Sequence, residues 1–285
     1  MKIPSGYTKI IIDKTIIIVK DKFKNFIIEN KLFGEKAIFE KSEINQHYKG
    51  RGNLFLLSWK GSEKDRILVR HYFRGGVIRK FNKDIYFGSL PRPVAELTIT
   101  EKARNWGIPT SETLAVYIHK IIGNFYRGDI LSKEIPFSIN LIEYLKKNSG
   151  KNKNSSKKIM IIKLLAELIK KMHNRNIYHG DLNLKNVLIQ KLSNQIPEIY
   201  IIDFDKSKIL KNLEYKHKLK ELFRLNRSAE KFQKLEKITL TRQDRIRFLK
   251  VYFKEIIDLK PFLRDLTLEY NIHRRLNQIW RIFSS

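Results

Sequence analysis

Cysteine is absent from the 285 residues, which excludes a disulfide framework and a thiolate-ligated zinc site. Long apolar runs are absent too. The opening stretch "MKIPSGYTKIIIDKTIIIVKDKF" breaks its apolar runs of three or four residues with charges. It therefore reads as neither a signal peptide nor a membrane-spanning helix, which needs about 20 apolar residues in succession. Acidic residues are scarce: 29 Asp and Glu face 58 Lys and Arg, a formal net charge of +29. No internal repeat is visible. Together these absences lead us to expect a soluble, cytoplasmic protein. The charge predicts an anionic partner: nucleic acid, an acidic membrane face or a phosphorylated substrate. A compositional bias toward Lys, Ile and Asn would also raise the charge, so charge alone does not choose among them.

What is present supports a sizeable core, since 42% of the residues are hydrophobic. The first ~90 residues read as strands. Residues 7–20 ("YTKIIIDKTIIIVK"), 53–59 ("NLFLLSW") and 66–73 ("RILVRHYF") are rich in Ile, Leu, Phe and Tyr. Residues 92–106 ("RPVAELTITEKARNW") predict a helix, with Pro93 in its first turn and Gly107 just past its end. Residues 113–131 predict two strands around a turn at Gly123-Asn124. The polar stretch 146–158 ("KKNSGKNKNSSKK") reads as a loop. Apolar positions 161, 162, 164, 165, 168, 169 and 172 then mark a helix over 158–176 with one buried face. "EIYIID" (198–203) is a strand, and from Asp205 onward the pattern is helical. Residues 206–254 hold sixteen Lys or Arg and five Asp or Glu. The expectation is an α+β chain of two lobes, a mainly β lobe over 1–131 and a mainly helical lobe over 132–285.

One stretch carries chemistry. "IYHGDLNLKNVLI" (177–189) has the spacing His-x-Asp-x-x-x-x-Asn in His179, Asp181 and Asn186, and "IIDFD" brings Asp203 seventeen residues later. Protein kinases use this spacing for a catalytic loop followed by Asp-Phe-Gly. The physical reason is the phosphoryl donor, ATP, which travels with Mg²⁺, a hard cation that takes oxygen ligands. Asn186 and Asp203 would supply those ligands from neighbouring strand ends. "VLIQKLSNQIPEIYII" between them has room for two strands and a turn. Asp181 would orient the acceptor hydroxyl and take its proton, whereas His179 is expected to pack the loop. The other parts leave alternatives open. Gly50 and Gly52 precede a strand and could let a loop lie over the ATP phosphates. The phosphate-contacting cation is Arg70, with Lys80 as the second candidate; an Arg meets phosphate with a different geometry from Lys. Its carboxylate partner on the 92–106 helix is Glu96, with Glu101 as rival.

Several blocks go further than these general motifs. "LVRHYFRGGVIRKFNKDIYF" (68–87), "RPVAEL" (92–97), "GIPT" (107–110), "FYRGDILSKEIP" (125–136), "YHGDLNLKNVLI" (178–189), "IIDFDKSKI" (201–209) and "RLNRSAEKF" (224–232) resemble the 3-deoxy-D-manno-octulosonic acid (Kdo) kinases of the bacterial lipopolysaccharide kinase family. The resemblance spans roughly residues 48 to 255. It implies a protein-kinase-like bilobal fold, ATP and Mg²⁺ as cofactors, and transfer to a hydroxyl of Kdo on a lipid A precursor at the cytoplasmic face of the inner membrane. Carried over by position, Asp181 is the catalytic Asp and Asn186 and Asp203 are the metal ligands. Arg70 stands at the phosphate-contacting strand position, and Glu96 at the helix carboxylate.

Departures from protein kinases shape the expected acceptor. Gly180 stands where a regulated kinase has Arg, Asp205 where it has Gly, and no Ala-Pro-Glu follows. The chain is expected to pass straight from Asp205 into basic helix, leaving little room for a peptide substrate. The helix at 215–235 ("YKHKLKELFRLNRSAEKFQKL") has two readings. It could lie on the anionic inner-membrane surface, where each Lys or Arg contributes about 1 kcal/mol, or it could pack its apolar stripe on the core. Other functions remain in play from sequence: a lipopolysaccharide heptose kinase or another kinase-fold small-molecule or protein kinase, and a kinase-fold nucleic-acid binder. The intact Asp181, Asn186 and Asp203 oppose the binder, as does the lack of a basic patch interleaved with aromatics, so no nucleic-acid partner is expected.

Overall fold

The hairpin that opens the chain shows why its sequence alternates so little. In the computed structural model, which describes residues 3–40, 43–44, 54–59, 65–74, 84–148, 155–190 and 196–254, β1 (Tyr7–Ile12) pairs antiparallel with β2 (Thr15–Lys20). Asp13 and Lys14 make the two-residue turn, with Asp13 at φ +50°, as tight hairpins require. Along β2, Ile17, Ile18 and Val19 are all fully buried, because both faces of the sheet are covered. Ile17 and Val19 face a core with Phe23, Ile27 and Ile38 from α1 (Lys24–Glu29), α2 (Glu35–Glu40) and the turn before them. Ile18 faces the opposite core, built on Val94 and Leu97. A strand buried on both faces needs apolar residues at every position. Each such Ile contributes about 1.5–3 kcal/mol by burial.

The sheet continues through β3 (Glu43–Ile44), β4 (Leu54–Ser58), β5 (Arg66–His71), β6 (Tyr86–Phe87), β7 (Thr113–Lys120) and β8 (Phe125–Lys133). Its order is β1-β2-β7-β8-β5-β4-β3, with β6 added on β8. The predicted helix is α3 (Arg92–Asn105), set between β6 and β7 in the chain. Pro93 sits in its first turn, and Gly107 follows its end at φ +69°, the left-handed position that favours glycine. The predicted turn at Gly123-Asn124 joins β7 to β8. The short helices α1 and α2 depart from the expectation that the first ~90 residues are strands.

The rest of the described chain is mainly helical. It comprises β9 (Ser138–Asn140), α4 (Leu141–Lys147), α5 (Ser155–Asn174), β10 (Ile177–Tyr178), β11 (Val187–Gln190), β12 (Glu198–Ile201), β13 (Lys208–Ile209), α6 (Tyr215–Glu236) and α7 (Arg242–Tyr252). The polar stretch 146–158, expected as a loop, is helical at both ends: α4 runs to Lys147 and α5 begins at Ser155. Nor does Asp205 lead straight into helix. β13 intervenes, pairing with β10, and α6 starts only at Tyr215. Leu219, Leu222, Phe223 and Leu225 of α6 are buried in one core with Ile161, Leu165, Ile169 and Met172 of α5. The apolar stripe of α6 thus packs inward, the second of its two readings. Ala103, at the far end of α3, belongs to this same core, whereas Val94 and Leu97 belong to the sheet core. One helix is anchored in both.

Candidate active site

Strand pairing builds the first part of the site. β11 and β12 pair antiparallel with Val187 opposite Ile201, and the Ile202 amide donates to the Asn186 carbonyl at 3.0 Å. The two strands foreseen between Asn186 and Asp203 bring those residues to adjacent strand ends; the turn foreseen between the strands lies outside the described residues. Asp203 itself sits at φ +68°, ψ +68°, a left-handed conformation that costs a non-glycine residue about 1–3 kcal/mol and is found where function demands it.

The loop from His179 to Asn186 is held from inside. Asn183 caps the 3-10 turn Leu184–Asn186, accepting from the Lys185 amide at 2.9 Å. Asn183 and Asn186 both donate through Nδ2 to the Asp181 carbonyl, at 2.8 and 3.0 Å. That bond commits the Asn186 amide nitrogen and leaves its oxygen as the atom that could meet a cation. His179 is fully buried, and burial holds its imidazole below the ordinary histidine range. The neutral ring donates from Nε2 to the Ile202 carbonyl at 3.1 Å and accepts at Nδ1 from the Asp181 amide at 3.3 Å. It packs the loop, as the sequence suggested.

Glu221 of α6 was not foreseen. Its carboxylate, completely buried, accepts from the backbone amides of His179 at 2.8 Å and Gly180 at 2.7 Å. Burial alone would raise this carboxyl. The His173 hydrogen bond and the neighbouring imidazoles bring it below the usual range. The available signal was a glutamate flanked by Leu219, Leu222 and Phe223 on the buried face of an amphipathic helix. Gly180 also acquires a cause: its φ is +76°, and a Cβ there would collide with the Lys206 carbonyl. The missing Arg is thus also a packing requirement.

The second part of the site is a run of alternating charges. Arg70, on β5, donates from Nη2 to both oxygens of Glu96 at 2.5 Å and from Nη1 to Asp203 Oδ1 at 2.7 Å. Glu101 instead lies 3.5 Å from Lys20, so the structure brings Glu96, not Glu101, to Arg70. Tyr72 adds its hydroxyl to Glu96. Arg92 lies one turn before Glu96 on the same face of α3 and donates from Nε to Asp205 Oδ1 at 3.0 Å. Its guanidinium also stacks over the Tyr86 ring at 4.8 Å. Burial would raise the Asp203 carboxyl, but Arg70 holds it below the usual carboxylate range. Burial pushes the Glu96 carboxyl up to about 7, with Arg70 opposing. Lys206 completes the set, donating to Asp181 Oδ2 at 3.0 Å. Arg92, Lys206 and the partner of Asp205 were not read from sequence. Gly50, Gly52 and Lys80 lie outside the described residues.

The donor set suits a hard cation: a carboxylate on Asp203 and an amide oxygen on Asn186, both at strand ends beside Asp181. Beside this cleft, His71 lies between Asp129 (2.6 Å) and Asp84 (3.3 Å), and His119 takes the second oxygen of Asp129 at 2.6 Å. Arg127 holds Asp84 at 3.1 Å. This knot ties β5 to β7 and β8 behind Arg70.

Known proteins resemble this chain in sequence and in fold. The sequence profile described as Lipopolysaccharide kinase (Kdo/WaaP) family matches residues 39–252. A protein of Haemophilus influenzae (strain PittGG) named 3-deoxy-D-manno-octulosonic acid kinase is 31% identical over 217 residues, covering 74% of this chain and 86% of its own. The protein of that name in Pasteurella multocida (strain Pm70) is 30% identical over 198 residues, covering 68% and 78%. Among solved structures, one titled "WaaP in complex with acyl carrier protein" superposes with a TM-score of 0.64 at 17% identity, covering 93% of this chain and 99% of that one. That likeness places the chain in the α+β, bilobal kinase fold. With three quarters of its length matched by the family profile, the chain belongs to the lipopolysaccharide kinase (Kdo/WaaP) family and is a phosphotransferase of lipopolysaccharide biosynthesis.

Proposed function

We propose that the chain transfers the γ-phosphoryl group of ATP to a hydroxyl of Kdo on a lipid A precursor. The observation that carries this is the convergence of Asp181, Asn186 and Asp203 on one loop pair, backed by Arg70 between Glu96 and Asp203. Asp181 receives the hydroxyl proton as the oxygen attacks phosphorus. Its backbone carbonyl, gripped by Asn183 and Asn186, fixes the loop that carries it. Arg70, steadied by Glu96, would contact the phosphates. Asn186 and Asp203 would hold Mg²⁺, which when bound neutralises charge on the phosphates. Gly50 and Gly52 remain candidates for a loop over the nucleotide and Lys80 for a second cation. The division of the lobes is placed near residue 132, at the end of β8 (Phe125–Lys133), with the sheet and α3 before it.

The acceptor assignment follows the curated relatives, which are named for Kdo, rather than a heptose. Kdo carries a carboxylate and lipid A carries phosphates, which suits a chain of net charge +29. No described helix is long and apolar enough to cross a membrane; the lipid-linked acceptor is what would bring the protein, as a peripheral visitor, to the cytoplasmic face of the inner membrane. The decisive assay follows ATP consumption with and without Kdo-lipid A, and reads the product mass for one added phosphate. Consumption that ignores the acceptor, or a product with unchanged mass, would overturn the reading. Heptose-bearing acceptor run alongside separates the two sugars.

A further inference from the structure

At one end of the N-terminal sheet, the hairpins β1–β2 and β7–β8 finish side by side, because the Lys120 amide donates to the Lys14 carbonyl at 2.8 Å. The β7–β8 tip carries apolar side chains that the fold leaves in solvent. Ile122 is 74% exposed, Phe87 67%, Leu90 56%, Phe125 44% and Ile121 41%. They are held as one surface. Phe87 pairs across the β6–β8 ladder with Phe125, their rings 5.1 Å apart, and the Gly88 amide donates to the Asn124 carbonyl at 3.2 Å. Lys14 and Lys120 are exposed beside the patch, and Asp13 is the lone acid among residues 12–15 and 120–125.

We infer that this hairpin tip inserts into an anionic phospholipid bilayer, with its apolar residues at the boundary of headgroups and acyl chains and its lysines among the lipid phosphates. Scattered apolar residues on a surface are ordinary, but a contiguous apolar patch marks an interaction site. A convex turn tipped with Phe and Ile and rimmed by Lys suits a bilayer, where apolar burial and attraction to anionic lipid act together. A groove-binding partner would call for a concave surface. Charge elsewhere supports the same occupant. Lys216, Lys220, Arg227, Lys231 and Lys234 of α6 are exposed, while the apolar stripe of that helix is used in the core. Thus α6 can attract a bilayer but leaves only Tyr215 and Leu235, at its opposite ends, exposed as large apolar side chains, and the β7–β8 tip supplies a cluster of them. The segment beside the tip leads into the site. Leu90 is two residues from Arg92, whose guanidinium holds Asp205, itself two residues from Asp203.

This deepens the proposed action on a lipid-linked acceptor and rests on it. The test uses the full chain with vesicles of phosphatidylglycerol in phosphatidylcholine, and with phosphatidylcholine alone. Wild type is expected to float with the anionic vesicles, and Phe87→Ser/Ile122→Asp to partition at least about tenfold more weakly at the same salt. Ile122→Trp should show a blue-shifted emission that brominated lipid quenches. Phosphoryl transfer to acceptor dispersed in detergent should persist in the double variant, which confirms its fold. Equal flotation of the double variant and wild type, failure of wild type to float, or emission from Ile122→Trp that bromine leaves untouched would each overturn the inference. A protein that floats and is quenched but transfers no phosphate even in detergent would sink the kinase reading and leave the membrane anchor standing.

Discussion

Arg92 and Asp205, 113 residues apart in the chain, meet in an ion pair with Nε 3.0 Å from Oδ1. The pair fastens the first turn of α3 to the segment that carries Asp203, in parallel with the Glu96–Arg70–Asp203 chain. In protein kinases this helix position is an element of control; in this chain it is fixed by its own charges.

Removing the fastening should therefore cost catalysis more than folding. Arg92→Ala and Asp205→Ala are each expected to lower kcat about tenfold, and the double variant to be little worse than either single one. Such non-additivity is the mark of two groups acting as a unit. Rates that simply multiply in the double variant would show that the pair is incidental. The contact is partly exposed, the Arg92 side chain being at 36%, so the loss of stability should stay near 1 kcal/mol.

Asp181→Asn keeps the shape of the loop, because the short bonds from Asn183 and Asn186, at 2.8 and 3.0 Å, reach the backbone carbonyl of Asp181, and only a long 3.5 Å contact from Asn183 reaches its carboxylate. Transfer should fall by about 10²–10⁴-fold, the usual contribution of a positioned base, with ATP affinity nearly unchanged in a fluorescent-nucleotide titration. Lys206→Ala removes the cation beside that carboxylate and should reduce kcat with a smaller effect on the KM for ATP.

Gly180→Ala is expected to destabilise the fold by about 1–3 kcal/mol in urea unfolding, since alanine at positive φ is strained and its Cβ would meet the Lys206 carbonyl. Gly180→Arg, which restores the protein-kinase residue, should be worse still. A neutral outcome for the alanine would mean that the loop relaxes away from Lys206 without loss.

Glu96 gives a pH signature of two signs. Its carboxyl, raised by burial to about 7, binds a proton more tightly in the folded chain than in the unfolded one. The stability it contributes is therefore present in acid and lost as pH climbs from the ordinary carboxyl range through about 7. Activity should move the other way, rising through the same window as Glu96 becomes the charged partner of Arg70. The difference between wild type and Glu96→Gln, in both urea midpoint and kcat, isolates this group. A difference that is flat with pH would refute the assignment.

The parts of the fold that rest on local periodicity were readable in advance. β1, β2, α3, α5 and α6 all lie where spacing of apolar residues placed them. The six-residue helices α1 and α2 were missed because "KNFIIE" and "EKAIFE" are too short for a helical period to show. β13 has only two residues and exists through its pairing with β10. The candidate site divides the same way. Asp181, Asn186 and Asp203 were legible because two paired strands keep their separation fixed. The choice of Glu96 over Glu101 needed the third dimension, since both are buried residues of one helix. Asp205 looked like a mere departure until Arg92 was found against it.

The anchoring of α3 in two cores has a mechanical consequence. Swinging the helix outward would pull Val94 and Leu97 from the sheet core, Ala103 from the helical core, Glu96 from Arg70 and Arg92 from Asp205 at once. No phosphorylated loop is needed to hold a lever already bolted at both ends. A helix so fixed would leave the cleft waiting only on its substrates.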